Sequence, residues 1–188
     1  MPLETIQTDT GLVTGVVSAD GKRRSFLGIP FAAPPVAPLR WRPPQPAPPW
    51  QGVRHCGRYG SAPIPHAQHP QSTMRQFSFD EPLECCTSED CLYLNLWAPS
   101  ASLSKAASKP APVIVFIYGG GHRGGSGSLA VSRGDQLAAK GAVVVTFNYR
   151  VGAMGYLAHP ELTKESRLLG ETGASGNYAC LEVIAALE

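Results

Sequence analysis

The sequence predicts an α/β fold, with a small antiparallel amino-terminal sheet followed by a mostly parallel central sheet with helices. Three observations predict it. Residues 112–118 (PVIVFIY) and 142–147 (AVVVTF) are continuous runs rich in β-branched side chains, the pattern of strands buried on both faces of a sheet. Between them, residues 135–141 (DQLAAKG) carry a short helical pattern with a basic last turn and a glycine just beyond it, so that strand, glycine loop, helix and strand make a βαβ unit. Residues 10–29 alternate in the manner of short antiparallel strands, punctuated by Gly11, Gly15 and Asp20-Gly21.

The remaining elements follow in order. Residues 30–49 hold nine of the eighteen prolines, which forbids helix and central strand and leaves an extended path. Because Phe31, Leu39, Trp41 and Trp50 accompany the prolines, this segment reads as an irregular strip packed on the domain rather than as a linker. Residues 51–84 are polar and without periodicity, and read as loop. Residues 91–97 (CLYLNLW) alternate strictly and predict a strand, and residues 98–110 form a small-residue surface connection. A last helix starts at Asn177, a favourable cap residue, and places Leu181, Ile184, Ala185 and Leu187 near one face. It ends without glycine or a basic residue and with Glu188 at the negative end of its dipole, so the expectation is a fold incomplete at this point.

Composition excludes several classes. The chain has 188 residues, 43% hydrophobic and 16% charged, which suits one globular domain, and no apolar run approaches the roughly 20 residues of a membrane span. A formal net charge of +2, with Lys22, Arg23 and Arg24 beside a hairpin turn, gives no electrostatic footprint for nucleic acid. The first residues lack a basic start followed by an apolar stretch, so a cytoplasmic product without membrane association is expected. Five cysteines without a CxxC pair predict reduced thiols. His66, His69 and the adjacent Cys85-Cys86 are not spaced for tetrahedral ligation and read as loop residues, so no metal is expected.

The densest signal is FIYGGGHRGGSGS at 116–128, where a strand breaks into six glycines. Bare backbone at that density serves a sharp bend or a close approach. Neither GxxxxGK[ST] nor a GxGxxG opening directly into a helix is present, which argues against a phosphate cradle. A structural turn and an oxyanion hole, in which backbone N–H groups face a developing negative charge, remain as readings.

At this point the residues resemble a known family. FLGIPFAAPP (26–35), PLRWRPPQPAPPW (38–50), SEDCLYLNLWAP (88–99), YGGG (118–121), NYRVGAMGYL (148–157) and GNYACLEVIAAL (176–187) are similar, in order and spacing, to the type-B carboxylesterases, the cholinesterase-like α/β-hydrolases. The resemblance implies that residues 1–188 are the amino-terminal portion of a single α/β-hydrolase domain, acting on a small-molecule carboxylic ester without a cofactor. It makes Gly120 and Gly121 the oxyanion-hole donors, with Gly119 allowing the turn. His122, where the family more often has an aromatic, would line the acyl pocket. It also implies two structural ion pairs, Arg40 with Glu89 and Arg150 with Glu182. The region that holds the disulfide partner of Cys91 in some members reads SAPIPHAQ here, so Cys91 is expected to be unbridged unless Cys56, Cys85 or Cys86 substitutes.

The family nucleophile is a serine in G-E-S-A-G on a strand-to-helix elbow, and it should follow the helix that begins at Asn177. Ser126 and Ser175 fail GxSxG and read as loop serines. The sequence therefore predicts a serine esterase for the parent protein and no turnover for these 188 residues alone. The alternatives are a non-catalytic cholinesterase-like binding protein, an inactive truncated fragment, and a half-chain that assembles with the missing carboxy-terminal part. Against the first stand the expected lack of a leader and of any N-x-[ST] sequon.

Overall fold

The computed structural model describes residues 5–65, 85–103 and 110–188. Its strands are β1 (Ile6–Gln7), β2 (Leu12–Thr14), β3 (Val16–Val17), β4 (Arg23–Pro30), β5 (Val53–His55), β6 (Tyr93–Pro99), β7 (Val113–Phe116) and β8 (Val143–Phe147). Its helices are α1 (Asp135–Ala138), α2 (Gly152–Tyr156), α3 (Pro160–Leu168) and α4 (Tyr178–Ala185).

The amino-terminal alternation feeds two sheets. β2 lies between β1, antiparallel, and β5, parallel, in a three-stranded sheet. β3 and β4 form a hairpin that joins the larger sheet, whose order is β3-β4-β6-β8-β7. At the hairpin turn the Asp20 carboxylate accepts from the Lys22 amide at 3.1 Å and from the Ser18 hydroxyl, and Gly21 supplies a φ of 72°. The β4–β6 and β6–β8 pairings are antiparallel and β8–β7 is parallel, which makes the sheet mixed. The parallel pair is the βαβ unit read from the sequence, with α1 between its strands and Ala138 packed with Trp97 and Val144.

β5 falls in the stretch read as loop; it is three residues long, and its exposed–intermediate–exposed pattern offers little hydrophobic period. The proline-rich strip is packed, with one 3-10 turn at Ala37–Leu39 and one bridge between Ala32 and Pro46. Its polar side-chain ends fasten it: Trp50 Nε1 donates to Leu12 O at 2.9 Å, Trp41 Nε1 to Ala153 O at 3.0 Å, and Arg42 reaches Glu165 at 2.8 Å and Glu171 at 3.5 Å.

Two elements depart from expectation. β7 was expected to be buried on both faces, yet Val113, Ile114, Val115, Phe116 and Ile117 are 62, 41, 39, 41 and 49% exposed. It is the sheet's edge strand, and no described element covers its faces. Asn177 stands at the start of α4, but it is left-handed (φ 57°) and its side chain makes no capping hydrogen bond; its carbonyl instead accepts from Cys180 N at 3.0 Å. The central core joins Tyr118, Phe147, Tyr149, Val151 and Ala179, with Phe31 edge-on to Phe147 at 6.1 Å.

Candidate functional site

Parallel strands β7 and β8 run to a common carboxyl edge, where ligands of α/β sheets bind. The loops that leave this edge, residues 117–129 and 148–151, are locked together by two tyrosines. Their rings stack at 4.3 Å and 6°. The Tyr118 hydroxyl donates to Tyr149 O at 2.9 Å and accepts from Tyr149 N at 3.2 Å, while the Tyr149 hydroxyl donates to Tyr118 O at 2.6 Å. Burial pushes both phenols up from the ordinary tyrosine value, so each remains an O–H donor.

Above this clasp the chain makes a tight turn. Gly120 O accepts from Arg123 N at 3.0 Å, and the central residues Gly121 and His122 have φ of 58° and 61°, the geometry of a type I′ turn. Glycine is required at two points of the loop. A Cβ on Gly120 would lie 2.0 Å from Gly124 O, and one on Gly125 (φ 113°) would lie 2.4 Å from the Tyr118 ring. At Gly121 a Cβ meets nothing within 4 Å, and only the left-handed backbone favours glycine.

Among the described residues, the amides of Gly119, Gly120, Gly121 and His122 donate to no acceptor, and all four residues are exposed. The His122 carbonyl is held by Gly152 N at 2.6 Å, and its ring stands edge-on to Tyr156 at 4.6 Å. The far side of the loop is fixed by a buried polar network that sequence reasoning missed. Asn95 Nδ2, Thr146 Oγ1 and Ser132 Oγ converge on Gly127 O at 3.3, 2.8 and 2.9 Å. Asn148 Oδ1 accepts from Gly127 N at 2.9 Å and from Ser126 Oγ at 3.1 Å. The available signal was a polar residue inside an apolar run, Asn95 in CLYLNLW and Thr146 in AVVVTF.

The four residues expected to pair do meet. Arg40 Nε and Nη2 donate to the two Glu89 oxygens at 2.6 and 2.8 Å, half in solvent, tying the strip to the segment before β6. Arg150 and Glu182 are 3 and 0% exposed. Arg150 Nε bonds Glu182 Oε1, Arg150 N donates to Oε2 at 2.7 Å, and Nη2 donates to Arg42 O at 2.6 Å. Burial pushes the Glu182 carboxyl up; Arg150 opposes this by its charge and hydrogen bonds without cancelling it. The pair joins the loop after β8, helix α4 and the strip at one point.

All five cysteines are free thiols, with Cys91 buried and pushed well above the usual thiol range by desolvation. Among the described residues, no group of His, Cys, Asp and Glu is arranged to hold a metal. His66 and His69 lie outside the described residues. No described helix is long and apolar enough to cross a membrane.

A mixed sheet carrying a β7-α1-β8 crossover, with a glycine turn clasped at its carboxyl edge, is the amino-terminal part of an esterase-type α/β-hydrolase fold. Over 98% of its length the chain superimposes on 34% of a PNB esterase with a TM-score of 0.76 and 32% identity. Residues 2–188 match the carboxylesterase family, and the chain belongs to it. It is 45% identical over 181 residues to the fumonisin B1 esterase of Sphingopyxis macrogoltabida, covering 96% of this chain and 30% of that protein. It is 42% identical over 191 residues to the acetylcholinesterase of Gallus gallus, covering 97% of this chain and 23% of that protein. The chain thus spans about a third or less of the length of these relatives.

Proposed function

We propose that this chain supplies the oxyanion-hole half of a serine carboxylesterase that cleaves small-molecule carboxylic esters. The observation that carries the reading is the exposed, acceptor-free amides of Gly120 and Gly121 on a turn that cannot flex freely, because the tyrosine clasp holds one side and the Asn95–Asn148 network the other. Donors fixed in advance at the place where charge develops stabilise a tetrahedral intermediate without reorganising during the reaction. Membership of the carboxylesterase family supports the remaining steps of the reading: a serine outside these residues attacks the acyl carbon, the carbonyl oxygen becomes an oxyanion facing Gly120 and Gly121, the alcohol leaves, and water releases the acid. Gly119 gives the turn its entry and His122, braced on Tyr156, forms a wall of the acyl pocket. Arg40, Glu89, Arg150 and Glu182 hold the scaffold. The 188 residues by themselves turn nothing over.

The test is hydrolysis of p-nitrophenyl acetate and butyrate by this chain and by the product of its reading frame extended past Glu188, with an organophosphate trap read by mass. Turnover by the extended form, labelled on one serine beyond residue 188, is the expected result. Turnover and labelling within the 188 residues overturns the assignment of the nucleophile, and a soluble, folded extended form with no turnover favours a binding protein of the same fold.

A further inference from the structure

The buried guanidinium of Arg150 has more donors than the pairing with Glu182 uses. Its Nε goes to Glu182 Oε1 and its Nη2 to Arg42 O, while Nη1, also buried, meets no acceptor among the described residues. The Tyr178 ring, 5.3 Å from Cζ, offers the cation π charge but no lone pair. A buried charged donor left without an acceptor carries its full desolvation penalty, so the space around Nη1 matters. Arg150 lines a small cavity of about 10 Å³, the room of a single water. The other polar residues on its wall are Arg40, Ser88 and Glu89, with Cys91 and Val151 beside them. With Nε and Nη2 engaged elsewhere, Nη1 is the side-chain nitrogen that Arg150 has left for this cavity.

From this arrangement we infer that the cavity is a binding site for one structural water, which accepts from Arg150 Nη1 and donates to the Glu89 carboxylate, joining the two ion pairs into one network. Charge selects water over an ion. Two guanidinium groups and two carboxylates, Arg40 with Glu89 and Arg150 with Glu182, already balance here, so an anion would be repelled by Glu89 and a cation by Arg150. Water supplies what each side lacks. It gives Nη1 an acceptor, and it gives a donor to Glu89, whose two oxygens keep lone pairs beyond the bonds to Arg40. The Ser88 hydroxyl, whose oxygen accepts from Asp90 N at 3.1 Å, donates the third of the roughly three bonds a buried water makes. Glu89 then has two tasks: it holds Arg40 on the strip directly, and it holds Arg150 through the water. Two residues beyond Arg150, Gly152 N anchors the His122 carbonyl at 2.6 Å, so the same network braces the segment that carries the glycine turn.

The water site is independent of the esterase reading, and its test needs no turnover. Crystals of the full reading-frame product, diffracting well enough to show ordered water, are measured with and without a bromide soak. The expected result is one peak within about 3.2 Å of both Arg150 Nη1 and a Glu89 oxygen, with no bromide signal. A bromide peak at that place, a protein group filling the cavity, or no density overturns the inference. Denaturant unfolding supplies a second reading in the Arg40→Ala background, where Glu89 has lost its direct partner. If Glu89 served Arg40 alone, further change at Glu89 would cost nothing there. With the water in place, Glu89→Met in that background lowers the folded-to-unfolded ratio several-fold, whereas Glu89→Gln, which keeps a carbonyl acceptor, restores most of it. Equal stability of the Met and Gln variants overturns the bridge to Glu89, whatever the density at Nη1.

Discussion

The tyrosine clasp allows a quantitative test, because its two halves are not equivalent. Tyr149→Phe removes one bond, the 2.6 Å contact to Tyr118 O, and leaves one buried carbonyl without its donor. Tyr118→Phe removes two, orphaning both Tyr149 O and Tyr149 N, since the Tyr118 hydroxyl serves each of them. Ring stacking at 4.3 Å survives either change. A buried polar group left unpaired costs about 1–3 kcal/mol, so Tyr149→Phe should destabilise by about that amount and Tyr118→Phe by up to roughly twice as much. In the double variant both halves of the clasp are gone, and a coupling of about 0.5–3 kcal/mol is expected. The assay is the thermal midpoint of the full reading-frame product together with kcat and KM for p-nitrophenyl butyrate. If the glycine loop is the oxyanion hole proposed above, misplacing it lowers kcat by up to about a hundredfold with little change in KM. The reasoning is refuted if Tyr149→Phe costs more than Tyr118→Phe, or if both lower the midpoint while kcat stays at the wild-type value.

Gly120→Ala should abolish turnover, because the new methyl would lie 2.0 Å from Gly124 O, whereas Gly121→Ala, with open space but a left-handed backbone, should cost about 1–2 kcal/mol of strain and keep partial activity; a reversed order of kcat would sink the loop geometry. Glu182→Ala removes the buried acceptor of both Arg150 N and Arg150 Nε and should destabilise by about 3–5 kcal/mol in denaturant unfolding, with Arg40→Ala at the half-exposed pair costing much less. Because Glu182 binds its proton more tightly folded than unfolded, its contribution to stability is fully present below its ordinary value of 4.5 and falls as pH rises from there through the raised folded value, a slope that Glu182→Gln should remove from a pH series of unfolding midpoints. Iodoacetamide on the native protein should label exposed Cys86 and Cys180 and spare Cys91, whose thiol is buried and well above its usual range; early Cys91 labelling would contradict the packing.

How much of this was legible in the sequence depends on where each element's partners lie. β6 and β8 were readable because their alternation and their apolar run report neighbours present in the chain, β4 and α1 among them. β7 misled for the converse reason: VIVFI records what a fully covered strand requires, while the described residues leave it at an edge. β5 and α2, of three and five residues, are too short for any period to emerge. α3 was missed although Pro160 and Glu161 stand in its first turn; its cap is the ring of His159, whose Nδ1 accepts from Glu161 N at 3.2 Å, and histidine is not a residue that announces a helix start. At the site, the glycines were visible because their composition is extreme. The clasp was not, because nothing in the spacing of Tyr118 and Tyr149 says that each hydroxyl will find the other's backbone.

The bare edge of β7 also bears on how the chain survives its own synthesis. Residues 113–118, VIVFIY, form an uncharged, β-prone window between Pro112 and Gly119, the composition that self-associates when a strand edge stays open. At about 5–20 residues per second, β7 is made seconds before β8 can pair with it, and β8 then protects one side of it only. Until something occupies the other side, the run stays open to association, and Pro112 is the residue that keeps it from extending towards the amino terminus. The strand that delivers the glycine turn to its place is therefore also an edge open to self-association.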